Sequence, residues 1–185
     1  MTRPARLFVD RLPSPIGEIL IATDESGLLR AVDFHDFEPR MRRLARLHYG
    51  ELPLETGSAP SVIRTAFTHY FEGATDALSS LPWKTGGTPF QQAVWTALTK
   101  IPAGQTITYS ELARRVGKPL AIRAAAAANG ANPLSLVAPC HRVIGVNGAL
   151  TGYAGGIHRK RWLLAHEARA TLPAISPSRS AFSNA

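Results

Sequence analysis

The hydrophobic pattern of this chain changes character once, and that change limits the folds open to it. Residues 6–34 hold three short β-compatible runs, "LFVDRL", "GEILIAT" and "LLRAVDF", separated by the turn signals "PSPIG" and "DESG". They predict an antiparallel meander. After them the apolar residues recur at helical spacing. In "EPRMRRLARLHYG" (38–50), Met41, Leu44, Leu47 and His48 share a face and Gly50 is the stop. In "APSVIRTAFTHYFEG" (59–73), Val62, Ala66 and Tyr70 form one face, Ile63, Phe67 and Phe71 another, and Gly73 ends the run. Strands followed by helices is the order of an α+β fold.

The polar stretch "GATDALSSLPWKTGG" (73–87) predicts a linker over about 74–87. It separates an N-terminal domain, 1–85, from a C-terminal domain, 86–170. The second begins with a helix. Thr88 is a good N-cap, Pro89 suits the first helical position, and Gln91 completes a capping box. Phe90, Val94, Ala97 and Leu98 make its buried face. "SELARRVG" (110–117) reads as a short helix capped by Ser110. "KPLAIRAAAAANG" (118–130) reads as a turn and an alanine-rich helix, so the two form a helix–turn–helix. "ANPLSLVAPCHRVIG" is expected to be extended, "ALTGYAGGIH" a glycine-rich loop, and "RKRWLLAHEARA" (159–170) the last helix. Residues 171–185 are Ser/Pro-rich and aperiodic, which predicts disorder.

Charge is divided unevenly between the halves. Residues 1–85 carry 10 Lys and Arg against 11 Asp and Glu; residues 86–170 carry 10 against 2. The basic excess of the second half points to a polyanionic partner, nucleic acid first, with an ordinary basic protein as the alternative. No run of about 18 apolar residues is present, so no membrane span is expected. The opening "MTRPARLFVDRLPSP" lacks an apolar h-region, so no secretory leader is expected. A single cysteine makes no internal disulfide and no multi-cysteine zinc site. These features fit a reducing, cytoplasmic compartment.

That cysteine, Cys140, stands behind Pro139 and directly before His141 and Arg142. A thiol reacts as thiolate, and with a pKa near ~8.5 only a few per cent is ionised at neutral pH. A base or a turn of backbone N–H groups raises that fraction. On an extended strand Cys140 and His141 point to opposite faces. If 139–142 is instead a tight turn, set by the fixed φ of Pro139, one hydrogen-bonded path can join them, directly or through a water. A base also needs an orienting group. Glu167 is one of only two acids in 86–170, and the other, Glu111, is explained by a helix dipole. The plainer readings stand beside these: an inert buried thiol, a structural histidine, and a surface salt bridge for Glu167. Arg142 has no assignment beyond a structural or phosphate-facing one. Arg123, the lone cation of the alanine-rich helix, reads as a phosphate contact, a side chain inserted into a duplex, or a solvated arginine.

Several segments together carry a more specific signal: "PCHRVIG" around Cys140, "TPFQQAVW" with "IPAGQTITYSELA" before it, "NGANP", "GALTGYAGG" and "RKRWLLAHE". In these the chain resembles the O6-alkylguanine–DNA alkyltransferases of the bacterial single-protein type. The likeness is specific over roughly 86–170 and looser before it. It implies an N-terminal α/β domain, ribonuclease H-like with a small antiparallel sheet, and a mostly helical C-terminal domain. It implies minor-groove binding to duplex DNA through the helix–turn–helix, with Arg123 as the finger that replaces an everted nucleotide and Ala124 beside it on the DNA. The flipped base enters a pocket, and a relay of Glu167, His141 and water yields the Cys140 thiolate. Tyr109 assists departure of guanine by donating near N3. Asn132 holds the turn after the recognition helix, backbone groups at Cys140, Val143 and Ala154 read the base, and Tyr153 packs on its face. Ala154 stands where some relatives have serine, which leaves a backbone contact intact. No cysteine is available for the N-terminal zinc of some relatives, so no metal and no cofactor are expected. The protein acts once, as a monomer, with cooperativity along DNA left open.

Two other classes remain at this level. A non-catalytic DNA-binding or lesion-flagging module would lack a use for Cys140. A Cys-His hydrolase would need turnover, an oxyanion hole and a histidine from a separate segment.

Overall fold

The computed structural model describes residues 3–170; residues 171–185, expected to be disordered, lie outside them. Three strands form the meander: β1 (Leu7–Leu12), β2 (Ile19–Thr23) and β3 (Leu29–Phe34). A short strand that the sequence pattern misses, β4 (Leu54–Thr56), pairs parallel to β1. The sheet order is therefore β3-β2-β1-β4 and the sheet is mixed, which corrects the expectation of an antiparallel one. Three residues of alternating polarity carry too little period to announce a strand.

Both faces of the sheet are covered. Helix α1 (Glu38–Tyr49) packs Met41, Ala45 and Tyr49 against Leu20, Ala22 and Ala31. Helix α2 (Ser61–Phe71) and the second half of the chain cover the other face through Ile63, Phe67 and Tyr70 against Ile19, Ile21, Val32 and Phe34. This explains why β2 is buried at all five positions and reads as an unbroken apolar run. Leu47 and Val62, which share helical spacing with buried residues, are exposed, because α1 and α2 each turn a different arc to the sheet. Leu78 and Leu81 of the 73–87 segment are buried in the main core, so the segment is packed despite its polar composition.

In the second half α3 (Pro89–Leu98) starts with the anticipated capping box: Thr88 Oγ1 accepts from Gln91 N, and Gln91 Oε1 accepts from Thr88 N. Its buried face is Val94, Trp95, Ala97 and Leu98, with Phe90 only partly covered. A two-residue strand, β5 (Ile107–Thr108), leads into α4 (Tyr109–Arg115). Its cap is Thr108, whose hydroxyl accepts from Glu111 N; Ser110 lies inside the helix. Threonine and serine both cap well, and only the chain's direction into the helix separates them. Gly117, at φ +71°, makes the turn to α5 (Ile122–Gly130). Helix α5 presses Ala125 and Ala128 inward, and Trp95 Nε1 donates to the Ala128 carbonyl at 2.9 Å.

The segment 131–142 is folded rather than extended. Asn132 Oδ1 accepts from Leu134 N at 3.0 Å, and its Nδ2 donates to the Ala138 carbonyl at 2.7 Å. Leu136 takes φ +72°, and Cys140–Arg142 form a 3₁₀ turn. Edge strand β3 grips this segment: Val32 N donates to Pro133 O and Ser135 N to Val32 O. The short β6 (Val143–Ile144) pairs parallel with β5, and α6 (Ile157–Ala170) ends the described chain.

Candidate active site

Pro139, at φ −74°, sets Cys140 at the start of the 3₁₀ turn, so Cys140 and His141 are not on opposite faces of a strand. The thiol is buried and lines a cavity of about 240 Å³. Tyr109 from the start of α4, Asn129 and Gly130 from the end of α5, and Gly152–Ala154 of the glycine-rich loop make its walls. Four of the residues singled out from sequence, Cys140, Tyr109, Tyr153 and Ala154, thus meet in one hollow. A larger and more open hollow of about 580 Å³ lies between α3 and α4, but no thiol, imidazole or carboxylate lines it.

Behind Cys140 lies a buried ionic cluster. Glu167, expected as either the relay acid or a surface salt bridge, has no exposed surface. Its Oε1 receives the Tyr70 hydroxyl at 2.8 Å, Arg142 Nη2 at 2.8 Å and His141 Nε2 at 2.9 Å. Its Oε2 receives Arg142 Nε at 2.9 Å. Burial alone would raise the Glu167 pKa, but the hydrogen bonds from His141 and Arg142 and the charge of Arg142 outweigh it and hold the carboxyl well below the usual range. Burial and the adjoining carboxylate push the Tyr70 hydroxyl well above 10.0, so it stays a donor.

The state of His141 follows. A carboxylate only accepts, so His141 Nε2 carries the proton. Burial lowers the His141 pKa more than Glu167 raises it, so the ring is neutral at neutral pH. The remaining nitrogen, Nδ1, then holds a lone pair. It is buried and has no partner among the described residues. This is the arrangement of a positioned base, with Glu167 fixing the tautomer and Arg142 fixing Glu167. Burial raises the Cys140 pKa above 9.0, while Asn132 and the charges of Arg40 and Lys160 pull it down. The resting thiol is protonated at neutral pH.

The other expected residues fall in three places. Asn132 ties the turn as described. Val143 is fully buried, and its carbonyl accepts from Lys160 Nζ at 2.6 Å. Arg123 and Ala124 are exposed on the first turn of α5, outside the cavity. Arg142, unassigned from sequence, proves to be the counter-ion of Glu167, and its Nη1 also donates to the Ile101 carbonyl. Tyr70 and Lys160 carried no warning in the sequence, since Tyr70 reads as a helix-face aromatic and Lys160 as one of a run of cations. Among the described residues no three His, Cys, Asp or Glu side chains gather to hold a metal.

Comparison with known proteins agrees with this geometry. Residues 89–169 match the family model described as "6-O-methylguanine DNA methyltransferase, DNA binding domain". A methylated-DNA–protein-cysteine methyltransferase of Salmonella typhimurium is 47 % identical over 164 residues, covering 88 % of this chain and 96 % of that protein. Its namesake from Haemophilus influenzae is 39 % identical, covering 85 % and 84 %. The crystal structure of Mycobacterium tuberculosis O6-methylguanine methyltransferase is similar with a TM-score of 0.74 and 36 % identity, covering 91 % of this chain and 96 % of that one. A structure of the M. tuberculosis protein in complex with DNA matches with the same TM-score and identity, covering 88 % and 94 %.

Proposed function

The chain belongs to the family of methylated-DNA–protein-cysteine methyltransferases, and from that membership we propose that Cys140 is the alkyl acceptor and His141 its base. The protein binds DNA and repairs it by moving an alkyl group onto its own cysteine. The lesion is O6-alkylguanine, with O4-alkylthymine as a second candidate. The base leaves the duplex, because an alkyl carbon on O6 is out of reach inside the stack. Cys140 gives its proton through one water to His141 Nδ1, and the imidazolium is stabilised by Glu167. The thiolate attacks the alkyl carbon, the S–C bond forms as the C–O6 bond breaks, and guanine departs with its electron pair. The Tyr109 hydroxyl donates to the leaving base near N3. The product thioether has no ready leaving group, so each molecule acts once.

Helices α4 and α5 act as a helix–turn–helix in the minor groove, with Arg123 filling the gap in the stack and Ala124 at its side. Their exposed positions support this role. The backbone at Val143 and Ala154 and the ring of Tyr153 complete the base pocket, and Pro139 and Asn132 keep the turn. The sheet order, a meander extended by a parallel fourth strand, supports a ribonuclease H-like N-terminal domain over 1–85 that backs a DNA-binding domain over 86–170. A lone thiol and a DNA substrate favour a cytoplasmic monomer.

The observation that carries the reading is the bare Nδ1 of His141, with its tautomer fixed by a buried, ionised Glu167. The deciding experiment is intact mass after incubation with duplex DNA containing O6-methylguanine. A gain of one methylene unit mapped to Cys140, and lost in Cys140→Ala, is expected. Repeated turnover, or a gain on another residue, would overturn the assignment.

A further inference from the structure

Two neighbouring cations on the first turn of α6, Arg159 and Lys160, are buried. A helix N-terminus disfavours cations, and no acid stands in this first turn to offset them. Their acceptors lie elsewhere. Lys160 Nζ donates to the Thr151 carbonyl at 3.0 Å. Arg159 Nη1 donates to the Gly155 carbonyl at 2.9 Å. The two side chains thus hold opposite ends of one short loop. The residues between, Gly152–Ala154, are a wall of the cavity that Cys140 lines. Three of the six residues in 151–156 are glycine, so the place of this wall depends on what grips its backbone. Arg159 carries the grip across to the first half of the chain. Its Nε donates to the Ile16 carbonyl at 2.7 Å and its Nη1 also reaches Asp36 Oδ2 at 2.9 Å. Its guanidinium carbon lies 4.3 Å from the centre of the Phe34 ring. Gly17 stands clear for it, since a Cβ there would lie 2.9 Å from Arg159 Nη2.

We infer that Arg159 is a positioning residue, a tether through which the first half of the chain holds the glycine-rich wall against the cavity and so limits the size of the alkyl group accepted. This rests on the alkyl-transfer reading above and extends it to the choice of adduct. A guanidinium suits the task. Its rigid fork reaches acceptors on three separate segments at once, at Ile16, Asp36 and Gly155, whereas an ammonium is a point donor. With the wall clamped, a small alkyl carbon is held in line with the Cys140 sulfur, and a longer chain collides with the wall. With the wall released, the small adduct loses its placement and the large one gains room. A misplacement of about 1 Å costs on the order of a hundredfold in rate. The two effects oppose each other, so they appear in the ratio of the two rates.

The test compares single-turnover transfer from duplexes that carry O6-methylguanine or O6-butylguanine. Each rate is normalised to the S-alkylcysteine formed at completion, which removes any inactive fraction. Arg159→Leu keeps apolar bulk over Phe34 and loses every donor. It should lower the methyl-to-butyl ratio by roughly tenfold or more. Arg159→Lys keeps the charge without the fork and should lower the ratio by less; it carries the test where Arg159→Leu does not fold. If the native protein reacts with the methyl duplex alone, the expected result is that butyl transfer appears in Arg159→Leu. Variants that slow both duplexes by one common factor, and so keep the native ratio, overturn the inference, because that is what a merely structural role predicts. A ratio that rises overturns it as well. A native protein that transfers from neither duplex would instead refute the alkyl-transfer reading itself.

Discussion

The Tyr70 hydroxyl on α2 donates to Glu167 Oε1 on α6 at 2.8 Å, across 97 residues of chain. The first half of the protein therefore reaches into the ionic cluster behind Cys140. Tyr70→Phe removes one of five donors to a buried carboxylate while keeping the ring. A hydrogen bond to a charged group is worth about 1.5–3 kcal/mol, and the variant should be destabilised by that amount. Transfer should persist at a reduced rate, because Arg142 and His141 still hold Glu167. Urea unfolding and the second-order transfer rate measure both, and an unchanged unfolding midpoint would remove Tyr70 from the cluster.

Stability should fall on both sides of neutrality, for different groups. His141 is buried and His48 half-buried, and the desolvation lowers both pKa values below 6.5. The unfolded chain then takes up protons first as pH falls, so stability is full above about 6.5 and declines below it. Glu167, held below 4.5, adds a second loss as pH drops under that value. Cys140 is raised above 9.0, so its contribution is present below that pH and is lost as the unfolded thiol ionises first. Denaturant midpoints taken at steps from about pH 5 to 10 should trace a dome; a midpoint flat from pH 7.5 to 5.5 would contradict the neutral, buried state of His141.

Arg40 is one of the side chains that join the two halves. Its Nη1 pairs with Asp33 at 2.6 Å, and its Nη2 donates to the carbonyls of Gly130 and Asn132 at 2.8 and 2.9 Å. It thereby caps the C-terminus of α5, where the helix dipole favours a cation. Asp33 is 1 % exposed, so Arg40→Ala strands a buried carboxylate and should cost about 3–5 kcal/mol. Adding Asp33→Asn should restore part of that loss. Equal stability of the single and double variants would show that the pair is not coupled.

Gly155 seats the glycine-rich loop on the sheet. A Cβ there would lie 2.6 Å from Phe34 and 2.8 Å from Tyr153. Gly155→Ala should therefore destabilise by about 1–3 kcal/mol through overpacking, and displace the Tyr153 wall of the cavity. Transfer should slow in proportion. Gly130→Ala, where nothing lies within 4 Å, serves as the comparison and should leave the unfolding midpoint close to native.

The sequence by itself determined what depends on near neighbours. The meander, the helices, the capping box at Thr88 and Gln91 and the stops at Gly50 and Gly73 follow from periodicity and local backbone preference, which act over a few residues. The family motifs by themselves mark Cys140, His141 and Glu167. Only the tertiary structure decided how those residues are served. The pairing of β4 with β1, the role of Arg142 as counter-ion, the Tyr70 hydroxyl on Glu167, the Arg40 cap and the Arg159 tether join residues far apart in the chain. A buried charge has to find its partners wherever packing brings them, and no local pattern records which ones they will be.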